Sequence, residues 1–318
     1  MTDGTELTAQ AKVSKYRRFN ILSFDGGGVR GVMQTVVTSR IVKNHPNFLR
    51  DTDLFAGTST GAIQALGLAA NYTPAQIRDM YTNLMGHVFA DSILDDVKDV
   101  GCLFGADYNS DNLRGVLQEQ FGDMRLGELE KKVLVPAFQL DSGPKSQRRS
   151  WKLKVFHNFP GNDSDSEEKV MDVALRSSAA PVFFPTYQGY IDGGVAATNP
   201  SMLSIAQALD TRSSTASLDQ LHLLSLSTGS TGRWVEGQYH DWGVSQWAPH
   251  LLALTMEASL GSVDFQCRQL LGEKYFRFNP SLAEKIGLAD WEKVPELVQI
   301  AKSENLDSLT AWLLQEWQ

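Results

Sequence analysis

A serine stands between two glycines in Gly57-Thr58-Ser59-Thr60-Gly61. This is the Gly-x-Ser-x-Gly spacing of a nucleophile elbow, where a tight strand-to-helix turn exposes the hydroxyl. Upstream lies Asp25-Gly26-Gly27-Gly28-Val29-Arg30-Gly31, whose glycines offer backbone N–H groups unobstructed by side chains. A nucleophile and a cradle of donors are the minimum kit for acyl transfer. The third group of interest is Asp192 in Gly189-Tyr190-Ile191-Asp192-Gly193-Gly194. It puts a carboxylate on a sterically open turn, although an Asp-Gly turn is also a common structural object.

Each motif has a competing reading. Ser59 also suits the cap of a helix. Gly26 to Gly31 fits Gly-x-Gly-x-x-Gly, so a nucleotide-binding protein using that loop is the main alternative. The ribose-binding acid of such a fingerprint belongs about 20 residues further on. That stretch reads Asn44-His45-Pro46-Asn47-Phe48, with Asp51 and Asp53 arriving late, which favours an oxyanion hole. Arg30 adds a positive charge beside the loop, suited to an oxyanion, a substrate phosphate or a surface ion pair. A Ser-His-Asp triad in hydrolase order needs a late histidine. His240 and His250 come late enough but sit in no recognisable motif.

These residues need elements to hold them. Phe19 to Phe24 reads as a buried strand running into the glycine loop, and Val32 to Val42 as a helix. Asp53 to Ala56 reads as a second strand, followed by the elbow and a helix over Ala62 to Ala70. Thr73-Pro74 has the N-cap and first-turn chemistry of another helix. Lys132 to Leu140, Trp151 to Phe156, Tyr190-Ile191, Leu221 to Leu226 and Tyr275 to Phe278 are further strands, most of them separated by helical patterns. Such alternation predicts an α/β fold with a sheet covered by helices on both faces. Gly161 to Glu168 and Thr211 to Ser217 read as exposed loops, neither long enough for a domain linker. The expected division is a mobile tail over 1–18, a catalytic domain over 19–290 and a helical end over 291–318 packed on the same domain.

The bulk properties narrow the function. The 318-residue chain has a net charge of −8, with 42% hydrophobic and 21% charged residues. That argues against a nucleic-acid polymer as partner and against bulk attraction to anionic lipid. Two distant cysteines, Cys102 and Cys267, make neither a disulfide framework nor a zinc site. No clustered Asp/Asn loop suggests calcium. With no apolar N-terminal run and no stretch of about 18 uncharged apolar residues, a cytoplasmic protein in transient contact with membranes is expected.

Taken in order, Asp-Gly-Gly-Gly-Val-Arg-Gly, Gly-Thr-Ser-Thr-Gly and Asp-Gly-Gly resemble the motifs of patatin-like phospholipases. Ser178-Ala179-Ala180-Pro181 and Asn199-Pro200 add to the resemblance, which spans roughly residues 19 to 200 with weaker echoes to about 280. The resemblance implies a three-layer sandwich around a mostly parallel sheet. It implies a Ser-Asp dyad without catalytic histidine, Ser59 as nucleophile and Asp192 as base. Gly26, Gly27 and Gly28 with Arg30 would form the oxyanion hole, and Gly31, Gly57, Gly61, Gly193 and Gly194 are the remaining motif glycines. The implied reaction needs no cofactor or metal. It is hydrolysis of fatty-acyl esters of glycerophospholipids through an acyl-enzyme, with a membrane surface as substrate and a non-phospholipid lipase or esterase as the nearby alternative. Some similar bacterial enzymes are switched on by cyclic nucleotides in antiviral systems, so a cyclic-nucleotide activator sensed by the C-terminal third is a further expectation. An aspartate of reference pKa about 3.9 is a weak base at neutral pH, so either Asp192 is partly desolvated or the oxyanion donors do most of the work. Phe183, Phe184 and Leu66 are candidates to line an acyl channel. Leu84 to Phe104 and Trp234, Trp242 and Trp247 are candidates for an apolar rim.

Overall fold

The computed structural model describes residues 17–88, 110–144, 146–230, 241–283 and 286–317, with 232, 234–237 and 239 between them. Most of the expected tail, Cys102, His240 and the part of the Leu84 to Phe104 segment beyond Val88 lie outside the described residues.

The chain runs β1 (Phe19–Phe24), α1 (Val32–Asn44), β2 (Leu54–Gly57), α2 (Thr60–Ala69), α3 (Pro74–Val88) and α4 (Ser110–Phe121). It continues through β3 (Lys132–Gln139), β4 (Lys152–His157), α5 (Val170–Ser178), β5 (Tyr190–Asp192), α6 (Gly194–Ala197), α7 (Ser201–Ala208) and β6 (Leu221–Leu226). α8 (Val244–Leu271), β7 (Tyr275–Phe278), α9 (Val294–Ser303) and α10 (Asp307–Glu316) complete it. The strands form one sheet in the order β4-β3-β2-β1-β6-β7, with β5 on β3. All pairings are parallel except those of β4 and β5 with β3.

Alternation along the strands builds two cores. Leu22 and Phe24 of β1, Val133 and Val135 of β3 and Leu224 and Leu226 of β6 face α1 to α5, α9 and α10. Their neighbours Ile21, Leu134, Leu221 and Leu223 face α7 and the end of α8, where Ile205, Cys267 and Leu271 are buried. A strand buried on both sides is apolar almost throughout, as β1 and β6 are. The result is the expected three-layer arrangement.

The helix ends follow local chemistry. The Thr73 hydroxyl accepts from Gln76 N–H while the Gln76 side chain accepts from Thr73 N–H, a reciprocal cap ahead of Pro74. At the other end of the chain, Arg40 on α1 donates to the Ala301 and Glu304 carbonyls, each at 2.8 Å, tying α9 to α1. Trp317 packs against Phe48 in a tilted pair with ring centres 5.1 Å apart.

Two features went beyond the sequence pattern. β4 and β5 run antiparallel to β3, because periodicity carries no strand direction. β2 and β5 also share one edge of β3. Residues 134 to 139 of β3 pair with β4 along one edge, so β2, opposite Lys132 to Leu134, and β5, opposite Ala137 to Gln139, must both take the other. The two strands therefore point at each other end to end.

Candidate active site

That end-to-end arrangement decides where the chemistry sits. β2 leaves the sheet at Gly57 and turns through Ser59 into α2. β5 approaches from the opposite direction and stops at Asp192. The nucleophile candidate and the carboxylate candidate thus meet above the middle of β3. The glycine loop leaves the neighbouring end of β1, so all three motifs gather at the C-terminal edge of the parallel strands, where open α/β sheets bind ligands.

Ser59 has φ 55 and ψ −122, a backbone conformation unfavourable for a residue with a Cβ. The surroundings hold it there. Ser59 N–H donates to Ser177 Oγ at 2.9 Å, and Ser177 Oγ–H donates to the Pro136 carbonyl at 2.7 Å. A Cβ on Gly57 would overlap the Gly61 carbonyl, and one on Gly61 would overlap the Phe24 carbonyl, so the elbow admits only glycine at both places.

The Asp192 carboxylate is buried. It lines the same cavity as Ser59 and accepts a hydrogen bond from Gly194 N–H at 2.6 Å. Burial outweighs the stabilisation of the charged form by Ser59 and Gly194 N–H and pushes its pKa up to about 6. A carboxyl titrating there is a serviceable base near neutral pH, in line with the desolvation alternative read from the sequence.

The glycine loop is narrower as a donor set than its sequence suggests. Gly26 N–H is committed to the Thr198 carbonyl at 2.9 Å. Val29 N–H is committed to the Leu288 carbonyl at 2.9 Å. Among the described residues, Gly27 and Gly28 N–H have no partner, and both glycines line the cavity shared with Ser59 and Asp192. Gly28 has φ +57, and a Cβ there would run into Leu288. Arg30 does not reach the cavity. Its buried side chain donates to the Gly27 and Gly229 carbonyls, at 3.5 and 3.4 Å, and Arg30 is not among the residues that line the cavity. Thr60 N–H, which opens α2, is likewise without a partner among the described residues and borders the same cavity. The sequence reading did not include it, although the residue after the elbow serine is a standard place to look.

Other supports also escaped notice. Gln34 Nε2 donates to the Asp25 and Leu226 carbonyls, and Gln64 Nε2 to the Gly31 carbonyl and Gln34 Oε1, so two buried amides hold the loop's backbone. Arg277 on β7 grips the buried Asp25 carboxylate at 2.6 and 3.3 Å and Ser225 Oγ at 2.7 Å. The available signal was a polar residue inside an apolar run: Gln34 in Val-Met-Gln-Thr-Val, Gln64 in Ala-Ile-Gln-Ala-Leu, Arg277 in Tyr-Phe-Arg-Phe. The short α6 clips the two loops together, its Ala197 carbonyl accepting from Thr58 Oγ1 and Thr198 from Gly26 N–H.

The cavity is an open cleft with a predominantly apolar lining, the usual character of small-molecule sites. Phe183 and Phe184 line it, as does Met256 from α8. Leu66 instead lies fully buried in the core under the sheet. None of the described histidines borders the cavity.

Residues 22–203 match the Patatin family, described as patatin-like phospholipase. Protein teg of Priestia megaterium is 31% identical over 333 residues, which cover 96% of this chain and 100% of that protein. A cGAMP-activated phospholipase of Pseudomonas aeruginosa is 30% identical over 268 residues, 82% of this chain and 78% of that protein. Among solved structures, VipD from Legionella pneumophila aligns with a TM-score of 0.39 at 11% identity, covering 89% of this chain and 67% of that one.

Proposed function

This chain belongs to the patatin-like phospholipase family and is a lipid hydrolase, and we propose that it cleaves fatty-acyl esters of glycerophospholipids through an acyl-enzyme on Ser59. Ser59 Oγ attacks the acyl carbonyl as its proton passes to the Asp192 carboxylate. The tetrahedral oxyanion is held by Gly27 and Gly28 N–H. Collapse expels the lysolipid alkoxide, which takes the proton back from Asp192. Water then attacks the acyl-enzyme, giving its proton to Asp192, and the fatty acid leaves as Ser59 Oγ is reprotonated. The observation that supports this assignment is a buried carboxylate and a strained elbow serine lining one apolar cleft with the partner-free amide N–H groups of Gly27 and Gly28. Removing one oxyanion donor costs about 100- to 1,000-fold in rate elsewhere, which sets the scale for the loop's contribution.

Because a 30% identical relative is named as cGAMP-activated, we extend the proposal to control by a cyclic nucleotide. The same experiment tests both parts. Fatty-acid and lysolipid release from mixed phospholipid vesicles is measured with and without cGAMP for the wild type, Ser59→Ala and Asp192→Asn. Release by the wild type, raised by cGAMP and abolished in both variants, is expected. Release that survives Ser59→Ala removes the nucleophile assignment, and release indifferent to cGAMP removes the regulatory part.

A further inference from the structure

Two walls of the cleft carry apolar side chains on their outer sides that stay partly exposed. The first is the 180–184 turn, which contributes Ala180, Pro181, Phe183 and Phe184 to the cleft. Both Phe183 and Phe184 N–H donate to the Ala180 carbonyl, at 3.1 and 2.9 Å, so the turn is fixed. At its tip Val182 is 50% exposed with φ +78. A β-branched residue at positive φ is a genuine outlier, strained by about 1–3 kcal/mol. Glycine would relieve that strain, and only half of the valine side chain is buried in return.

The second wall is α8. Met256 faces the cleft, while Val244, Leu251 and Leu254 are 84%, 52% and 44% exposed. They share a face at helical spacing with Ala248, Thr255 and Ala258, also exposed. From Val244 to Val263 the only formal charge is Glu257, and no described helix is long and apolar enough to cross a membrane. Trp234, ten residues ahead of α8 in the chain, is 87% exposed, and tryptophan favours the membrane–water boundary.

We propose that the Val182 turn and the outer face of α8 form an apolar collar that seats the cleft on a phospholipid bilayer of neutral headgroups. The proposal rests on the lipid-hydrolase reading of the same cleft and identifies how its substrate is reached. A bilayer suits the collar because lipid leaving it must pass these two walls, whereas a second copy of the chain seated there would crowd the same entrance. The net charge of −8 supplies no attraction to anionic lipid, so adhesion comes from apolar burial alone.

The test is co-sedimentation with vesicles of phosphatidylcholine alone, using the wild type, Val182→Gly and Leu251→Gln/Leu254→Gln, beside hydrolysis of a soluble short-chain ester. Expected results are wild-type partitioning undiminished in about 1 M salt, where charges are screened beyond about 3 Å, and partitioning at least about tenfold weaker in both variants. Soluble-ester hydrolysis stays at the wild-type level, and Val182→Gly melts no lower than the wild type. Absent wild-type binding, binding lost in salt, or binding unaltered in the variants overturns the collar. So does a wild-type dimer that Leu251→Gln/Leu254→Gln dissociates, since it assigns α8 to a second copy. If vesicles bind as expected but neither ester is cleaved, the catalytic reading fails and the collar stands.

Discussion

Asp192 should make the enzyme less stable at the pH where it works. Its carboxyl is buried, and its pKa rises from an ordinary 3.8 to about 6. Between those values the folded chain binds a proton that the unfolded chain has released. Stability therefore falls as pH rises through that window, and the full loss is present above it. At 1.36 kcal/mol per pH unit, the difference amounts to about 3 kcal/mol at pH 8. Asp192→Asn removes the charge and keeps an oxygen acceptor for Gly194 N–H. The variant should be inactive and yet more stable than the wild type by up to about 3 kcal/mol at pH 8, and indistinguishable from it below about pH 4. With an unfolding entropy of about 2.1 cal/mol/K per residue, this is a rise in Tm of roughly 4 °C. The assay is thermal unfolding of both proteins from pH 4 to 8, paired with a kcat/KM profile of the wild type, whose acid limb should have its midpoint near pH 6. A stability difference that does not grow with pH, or a rate profile flat from about pH 5 to 9, would refute the reasoning that burial tunes this carboxyl.

Two further substitutions probe the scaffold. Ser177→Ala removes the hydroxyl that bridges Ser59 N–H and the Pro136 carbonyl. Stranding those buried groups should cost about 1–3 kcal/mol in denaturant unfolding, and kcat should fall about tenfold or more while KM for a soluble ester holds; an unchanged kcat would show that the elbow keeps its geometry without Ser177. Arg277→Met leaves the Asp25 carboxylate buried and unpaired, a loss of about 3–5 kcal/mol, and Asp25→Asn in the same chain should recover part of it; no recovery would mean that Arg277 acts through packing rather than charge.

The fold was largely readable because β1 and β6 are apolar runs buried on both faces and each glycine motif marks the turn from a strand into a helix. The strand directions were not, since β4 and β5 have the same local composition whether parallel or antiparallel to β3. Leu66 shows the limit for the cleft. It lies close in sequence to Ser59 but on the buried side of α2, whereas Met256, far along the chain, borders the cavity. Gly26 shows it for the donors: three consecutive glycines look equivalent until one amide is found bonded to Thr198.

The sequence alone determined which residue types are present and the local turns they demand: a serine where two glycines permit a strained elbow, a run of amides without side chains, an aspartate before two more glycines. Those are short-range steric facts, carried within a few residues of each position. Only the tertiary structure decided that β2 and β5 abut on one edge of β3, which brings Asp192 to Ser59 across 133 residues of chain. The pKa near 6, the commitment of Gly26 N–H to Thr198 and the bonds of Arg30 to the Gly27 and Gly229 carbonyls follow from that packing. Burial and hydrogen-bond partners are properties of what surrounds a residue in space, and the chain order does not contain them.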